Sequence, residues 1–158
     1  MNSKYMNKLL ENAIVSIKLG VDDYFSTDPN RILSCVRNMF SGLLLLFKSK
    51  LLDLSPPNSN EVLIKKNIIP IIENGNIVFK GSGNITIGID EIKKRFQELK
   101  INTNWSIIER IRKERNNIEH YYVNTDNSIL RRLIVDIFHV TNDFMRNELK
   151  EEPKELFK

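Results

Sequence analysis

Residues 30–53 read NRILSCVRNMFSGLLLLFKSKLLD, and this stretch decides the fold. Leu33, Val36, Phe40, Leu43, Phe47 and Leu51 recur at three- and four-residue spacing, which puts them on one face of an α-helix. Leu44, Leu45 and Leu46 carry apolar surface further round the cylinder, so one covered face does not satisfy this helix. It must be either the centre of a bundle or part of a subunit interface. Asp28 and Pro29 sit where an N-cap and first turn belong, and Ser55-Pro56-Pro57-Asn58 ends the run. The longest unbroken apolar segment, Leu43 to Phe47, is far short of the roughly 20 residues that span a bilayer.

Working outward, Met6, Leu10, Ala13, Ile17, Val21 and Tyr24 form a second apolar stripe, predicting a helix from about Ser3 to Tyr24. After the prolines the pattern changes. Val62–Ile64, Ile68–Ile72, Ile77–Phe79 and Asn84–Ile89 are short β-branched runs, punctuated by Glu73-Asn74-Gly75-Asn76 and Gly81-Ser82-Gly83. They predict a small β-hairpin insert over about 61–89, and because an isolated ribbon is marginal it should lie against the helices. Asp90 is placed to cap a short helix carrying Ile92, Phe96 and Leu99. A longer helix follows from about Asn104 to Tyr121 or Tyr122, then a break at Asn124–Asn127. The last helix, about Ser128 to Leu149, has Leu130, Leu133, Ile134, Ile137, Phe138, Thr141, Phe144 and Met145 on one stripe. The expected fold class is all-α: one helical domain over 1–149, a bundle of four or five helices with the 61–89 insert, and a frayed charged tail over 150–158.

The chain has 158 residues and a net charge of +4, a balance that permits a polyanionic partner without demanding one. A single cysteine, Cys35, excludes an internal disulfide and a cysteine metal cluster. Met1 to Lys8 is polar and lacks the apolar stretch of a signal peptide. The expectation is therefore a soluble cytoplasmic protein with no membrane partner, no metal and no cofactor. Charge gathers in one place: from Lys93 to Arg115 there are eight basic residues against Glu98, Glu109 and Glu114.

The stretch that bears on chemistry is Ile107 to Tyr122, IIERIRKERNNIEHYY. On a helix, Ile107, Ile111, Ile118 and Tyr122 share a face with Arg115 in its middle. A buried-face arginine must be paired, snorkel to solvent, or hold an anion at a cleft or seam. His120 lies about 140° round from Arg115 and roughly 7.5 Å along the axis, while Asn116 is nearly beneath His120 on the same flank. One helix therefore does not aim Arg115 and His120 at a common point. A composite site across a two-fold axis would supply the missing half. Histidine can move a proton and a guanidinium can hold charge building on phosphorus, so the chemistry suits RNA, whose own 2′-hydroxyl is the nucleophile.

Arg115-Asn116-Asn117-Ile118-Glu119-His120 resembles the signature of the HEPN superfamily: arginine, a following polar residue that is often Asn, and histidine after four to six intervening residues. With Tyr122 the segment RNNIEHYY is similar to the arginine–histidine–tyrosine form of HEPN toxins paired with nucleotidyltransferase antitoxins. The resemblance implies a dimeric helical bundle and a metal-independent endoribonuclease, of the kind that acts as a toxin or phage-defence effector. It implies Arg115 and His120 as catalytic residues, with Asn116, Tyr122 and Arg112 supporting them or contacting RNA. A non-catalytic HEPN-like module that binds nucleotide, RNA or a protein partner keeps the same motif without cutting. A purely structural domain would simply salt-bridge Arg115. Arg132 and His139 repeat the loose spacing, but with Asp136 and Asp143 they form a polar stripe that reads as a solvated face.

Overall fold

The structure, a computed structural model, describes residues 7–121 and 126–157. Helix α1 spans Lys8–Tyr24 and α2 spans Arg31–Leu54. The side chain of Asn7 accepts a 2.8 Å hydrogen bond from the Leu10 amide, capping α1, and donates to Asp53 Oδ1 at 2.8 Å, tying the start of α1 to the end of α2. The segment from Ser3 to Met6, predicted as the helix start, lies outside the described residues. Asp28 does not cap α2 itself. Its Oδ1 accepts from the Asn30 amide and its carbonyl from Arg31, so Pro29 sits in a turn that leads into the helix.

The central-helix reading of α2 is the one the fold adopts. Val36, Phe40, Leu43, Leu46, Phe47 and Leu51 are buried, and Leu33, Leu44 and Leu45 are partly buried against the same core. α2 also has the length and apolarity to cross a bilayer, but over half of its most apolar stretch is enclosed by the bundle. α1 lies so close that a Cβ on Gly42 would stand 2.5 Å from Ile17 Cγ1. Where α1 ends and α2 begins, a polar knot joins them. Asp23, nearly inaccessible, accepts from Arg31 Nε at 2.8 Å, Ser34 Oγ at 2.6 Å and Asn38 Nδ2 at 2.9 Å.

β1 (Lys65–Glu73) and β2 (Asn76–Thr86) form an antiparallel hairpin. Asn74 and Gly75, with φ of 51° and 80°, make the two-residue turn of the type that matches strand twist. The predicted strand runs need two corrections: Val62–Ile64 is a turn whose Val62 and Ile64 are buried, and the last run ends as strand at Thr86. The hairpin also does not lie along the helices as expected. It is held at its base and projects, leaving Ile72, Ile77 and Phe79 mostly exposed. The anchors are polar. Arg95 donates to the carbonyls of Leu63 and Lys65, Lys48 donates to Thr86 Oγ1, and the Gly81 amide donates to the Ser59 carbonyl. These fixed bonds at the root replace the apolar face-packing that a ribbon usually requires.

Helix α3 spans Ile89–Leu99. Gly88, not Asp90, holds the N-cap position, and Glu91 reaches back to accept from its amide at 3.1 Å. Asp90 is thereby free to turn toward the next helix. α4 spans Trp105–Tyr121, capped by Asn104 Oδ1 on the Ile107 amide. α5 spans Asn127–Phe144, capped by Asp126 on Ser128, and continues as a π turn over Met145–Leu149. Phe138, predicted on the inner stripe, is 41% exposed because it sits 100° on from the fully buried Ile137, at the bundle edge. The tail is not frayed through 157. Pro153–Leu156 forms a sixth, one-turn helix, and the burial of Pro153 with Leu156 and Phe157 against the core holds it. Phe47, Phe96, Trp105 and Phe144 meet at centroid distances of 4.8–5.8 Å, joining α2, α3, α4 and α5 in one aromatic cluster.

The Asp23 knot carries a testable load. The Ser34 hydroxyl lowers the Asp23 pKa most; burial opposes this, and Arg31 and Asn38 lower it further. A lowered native pKa means the carboxylate stabilises the fold fully above the ordinary aspartate range, and that contribution disappears as pH falls through the native value. Asp23→Ala should cost about 2–4 kcal/mol in urea unfolding at pH 7, because Ser34 and Asn38 lose their acceptor. Asp23→Asn should flatten the acid limb of the stability profile. Wild-type stability and an unchanged acid limb in both variants would show the knot to be inert.

Candidate functional site

α4 has two chemically distinct sides. Ile108, Ile111 and Ile118 are buried, and Arg115 falls on their side as the spacing predicts. Ile108 is fully buried, whereas Ile107 is only partly so. Arg115 lies 4.9 Å from the centroid of the Phe40 ring on α2. Its Nε is inaccessible and lacks a hydrogen-bond partner; Glu119 Oε1 stands 3.6 Å away, at ion-pair range only. The same Glu119 oxygen is 3.4 Å from Arg37 Nε, so one carboxylate is shared by two guanidiniums. With the Arg115 side chain 30% exposed, the pair adds at most about 1 kcal/mol, and the Phe40 contact a similar amount.

The other side forms an open groove. Glu109, Arg112, Lys113, Asn116, Asn117 and His120 line it, at the i, i+3, i+4, i+7, i+8, i+11 spacing of one helical flank. His120 is exposed, and Asn116 lies on its flank one turn earlier. Three of the predicted residues, Arg112, Asn116 and His120, are therefore brought together. Arg115 is not with them; it points to α2. Tyr122 lies outside the described residues.

Most of the local positive charge is used inside the fold. Arg112 makes a two-pronged contact with Asp90 at 2.7 and 3.2 Å, and its hydrogen bond and charge hold the Asp90 carboxyl below its ordinary range. Lys93 pairs with Glu109, Arg110 with Asp136 at 2.6 Å, and Arg95 with backbone carbonyls. Of the eight basic residues from Lys93 to Arg115, only the side chains of Lys94, Lys100 and Lys113 have neither a hydrogen bond nor an ion pair among the described residues. Lys113 is the one in the groove. Sequence inspection passed over Lys113 and Asn117. Their i+3, i+4 spacing from His120 backward along one flank is the signal that finds them.

The remaining candidates divide cleanly. Trp105 belongs to the aromatic cluster rather than to a base-stacking surface. Arg132 and His139 are exposed on α5, in keeping with a solvated face. No group of three or more His, Cys, Asp or Glu side chains is placed to hold a metal ion among the described residues. No family model, curated protein or solved structure matches the chain.

Cys35, fully buried on α2, has its thiol pushed up to about 12, chiefly by burial and secondarily by the Asp23 charge. A thiol so protonated is no nucleophile at neutral pH. In native protein it should react with a disulfide reagent at least about 100-fold more slowly than in urea-unfolded protein. Equal rates in the two states would place Cys35 at the surface.

Proposed function

We propose that the groove along α4 binds RNA and that the protein is a metal-independent endoribonuclease of the HEPN type. One observation carries the reading: His120 stands in a groove with Glu109, Arg112, Lys113, Asn116 and Asn117, which sets a side chain able to move a proton beside a lysine and two amides able to contact phosphate. In the proposed step His120 takes the proton from a ribose 2′-hydroxyl as that oxygen attacks phosphorus. The bond to the 5′-oxygen breaks, and the leaving oxygen collects a proton from a second histidine or from water, giving a cyclic phosphate and a free 5′-hydroxyl. Lys113 and Arg112 would neutralise the non-bridging oxygens, with Asn116 and Asn117 donating amide hydrogen bonds. Arg115 is on the opposite side of its own helix, so it would serve a groove supplied by a second chain, completing the two-fold composite site.

A second reading has its own observation. Glu119 and the Phe40 ring already engage Arg115, which suits a binding module that recognises RNA without cutting it. Cleavage of single-stranded RNA in EDTA separates the two. The nuclease reading expects wild-type cleavage in chelator, a loss of about 10²–10⁴-fold in His120→Ala, and a comparable loss in Arg115→Ala. RNA binding weakened by Lys113→Ala, with no cleavage by any variant, selects the binding module. Equal cleavage by all three proteins removes His120 and Arg115 from the chemistry.

A further inference from the structure

The hairpin is an unusual object for a soluble surface. Pairing Ile68↔Gly81, Pro70↔Phe79 and Ile72↔Ile77 puts Ile68, Pro70, Ile72, Ile77 and Phe79 on one face, without a single charge among them. Ile72, Ile77 and Phe79 are 77%, 70% and 62% exposed. Contiguous exposed apolar surface of this kind commonly marks an interaction site.

The backbone says which edge is open. In an antiparallel ribbon, alternate residues direct N–H and C=O away from the partner strand. Gly81 is one of these: its amide donates to the Ser59 carbonyl, and its carbonyl accepts from Asn60 Nδ2 at 2.7 Å, both on the outer side of β2. By the two-residue period, Ile77 and Phe79 also direct their backbone groups outward. Their cross-strand partners Ile72 and Pro70 do the same on β1. Pro70 has no N–H, so the β1 edge is blocked at its centre, a common protection of edge strands. On β2 the Ser59–Asn60 turn closes the edge at Gly81. The window at Ile77–Phe79 remains, and its outward groups have no partner among the described residues.

We propose that this window pairs with the same window of a second copy of the chain, giving a four-stranded antiparallel sheet in the order β1-β2-β2-β1 about a two-fold axis at Val78. The register is self-complementary. Ile77 of each copy exchanges both backbone bonds with Phe79 of the partner subunit, so four new hydrogen bonds use all four outward groups of each copy. One step further, Gly81 would meet Gly75 of the partner subunit. There the ladder must stop, because Gly81 is occupied and Gly75 belongs to the turn. The free segment is therefore the length its own twin can use. On the apolar face each Ile77 packs beside a Phe79, a favourable cross-strand pair. Charge raises no objection: Lys80 is neutralised by Glu73 at 2.9 Å, on the other face. A membrane surface fits less well, because the projecting tip is Glu73-Asn74-Gly75-Asn76, which is polar. This contact is independent of the RNA reading, which neither requires nor supplies it.

Sedimentation and thiol crosslinking of the full chain test the proposal. Val78 meets Val78 of the partner subunit at a non-hydrogen-bonded position, where Cα atoms are about 4.5 Å apart, within disulfide range. Val78→Cys should form a covalent dimer with oxidised glutathione, with buried Cys35 remaining reduced. Phe79→Pro removes one outward N–H while sparing the bonds between β1 and β2. It should weaken the dimer at least about tenfold with an unchanged helical circular dichroism spectrum. If that variant misfolds, Ile77→Lys gives the same readout by setting like charges on diagonal positions either side of the axis. A wild-type monomer at about 100 μM overturns the proposal, as does a dimer insensitive to both substitutions and uncrosslinked through residue 78.

Discussion

A helix that is apolar on more than one side has to be enclosed, and the rest of this molecule is arranged to enclose α2. α1 lies against it at Gly42, α5 covers a second side, and α3 and α4 close round the aromatic cluster of Phe47, Phe96, Trp105 and Phe144. Burial of these side chains is the dominant stabilising term, at about 1.5–3 kcal/mol for each large apolar residue. The polar contacts decide how the elements meet. Asp23 fixes the α1–α2 junction, and Arg95 fixes the root of the hairpin.

The enclosure of α2 also divides α4. Its isoleucine face is committed to the core, and Arg115 goes with it, over Phe40. Its open groove is on the flank that carries Arg112, Lys113, Asn116, Asn117 and His120. The separation of Arg115 from His120 is thus a consequence of packing, not of local helix geometry alone. Within one chain the groove has a proton-transfer group and a free lysine, while its arginine is tied to Asp90. Among the described residues the groove offers no unencumbered guanidinium of its own.

The helical order was legible in the sequence because three- and four-residue apolar spacing reports directly on buried faces, and α1, α2, α4 and α5 appear where that spacing predicts. Asn116 beneath His120 was legible for the same reason. The spacing could not show which cations are spent: Asp90–Arg112 and Asp136–Arg110 join residues far apart in sequence, so a local excess of positive charge overstated the groove's field. The hairpin itself was legible from its β-branched runs and turn residues, but its projection was not, because a marginal ribbon is expected to lie against helices. Nothing local announces that Ser59, Asn60, Lys48 and Arg95 hold its root by side-chain and backbone hydrogen bonds. The ordered tail was missed because Glu and Lys dominate it, and Pro153, Leu156 and Phe157 are too few to make a periodic signal.

The central claim is that ligand chemistry resides on the Asn116–His120 flank of α4, and the most direct measurement maps where RNA touches the protein. Titration of an uncleavable 2′-O-methyl oligonucleotide, followed by side-chain amide and imidazole resonances, reads each residue separately. The account predicts shifts at the Asn116 and Asn117 amides and the His120 ring, with the Asn38 amide in the Asp23 knot unmoved. Shifts confined to other surfaces, or none at millimolar oligonucleotide, would contradict it.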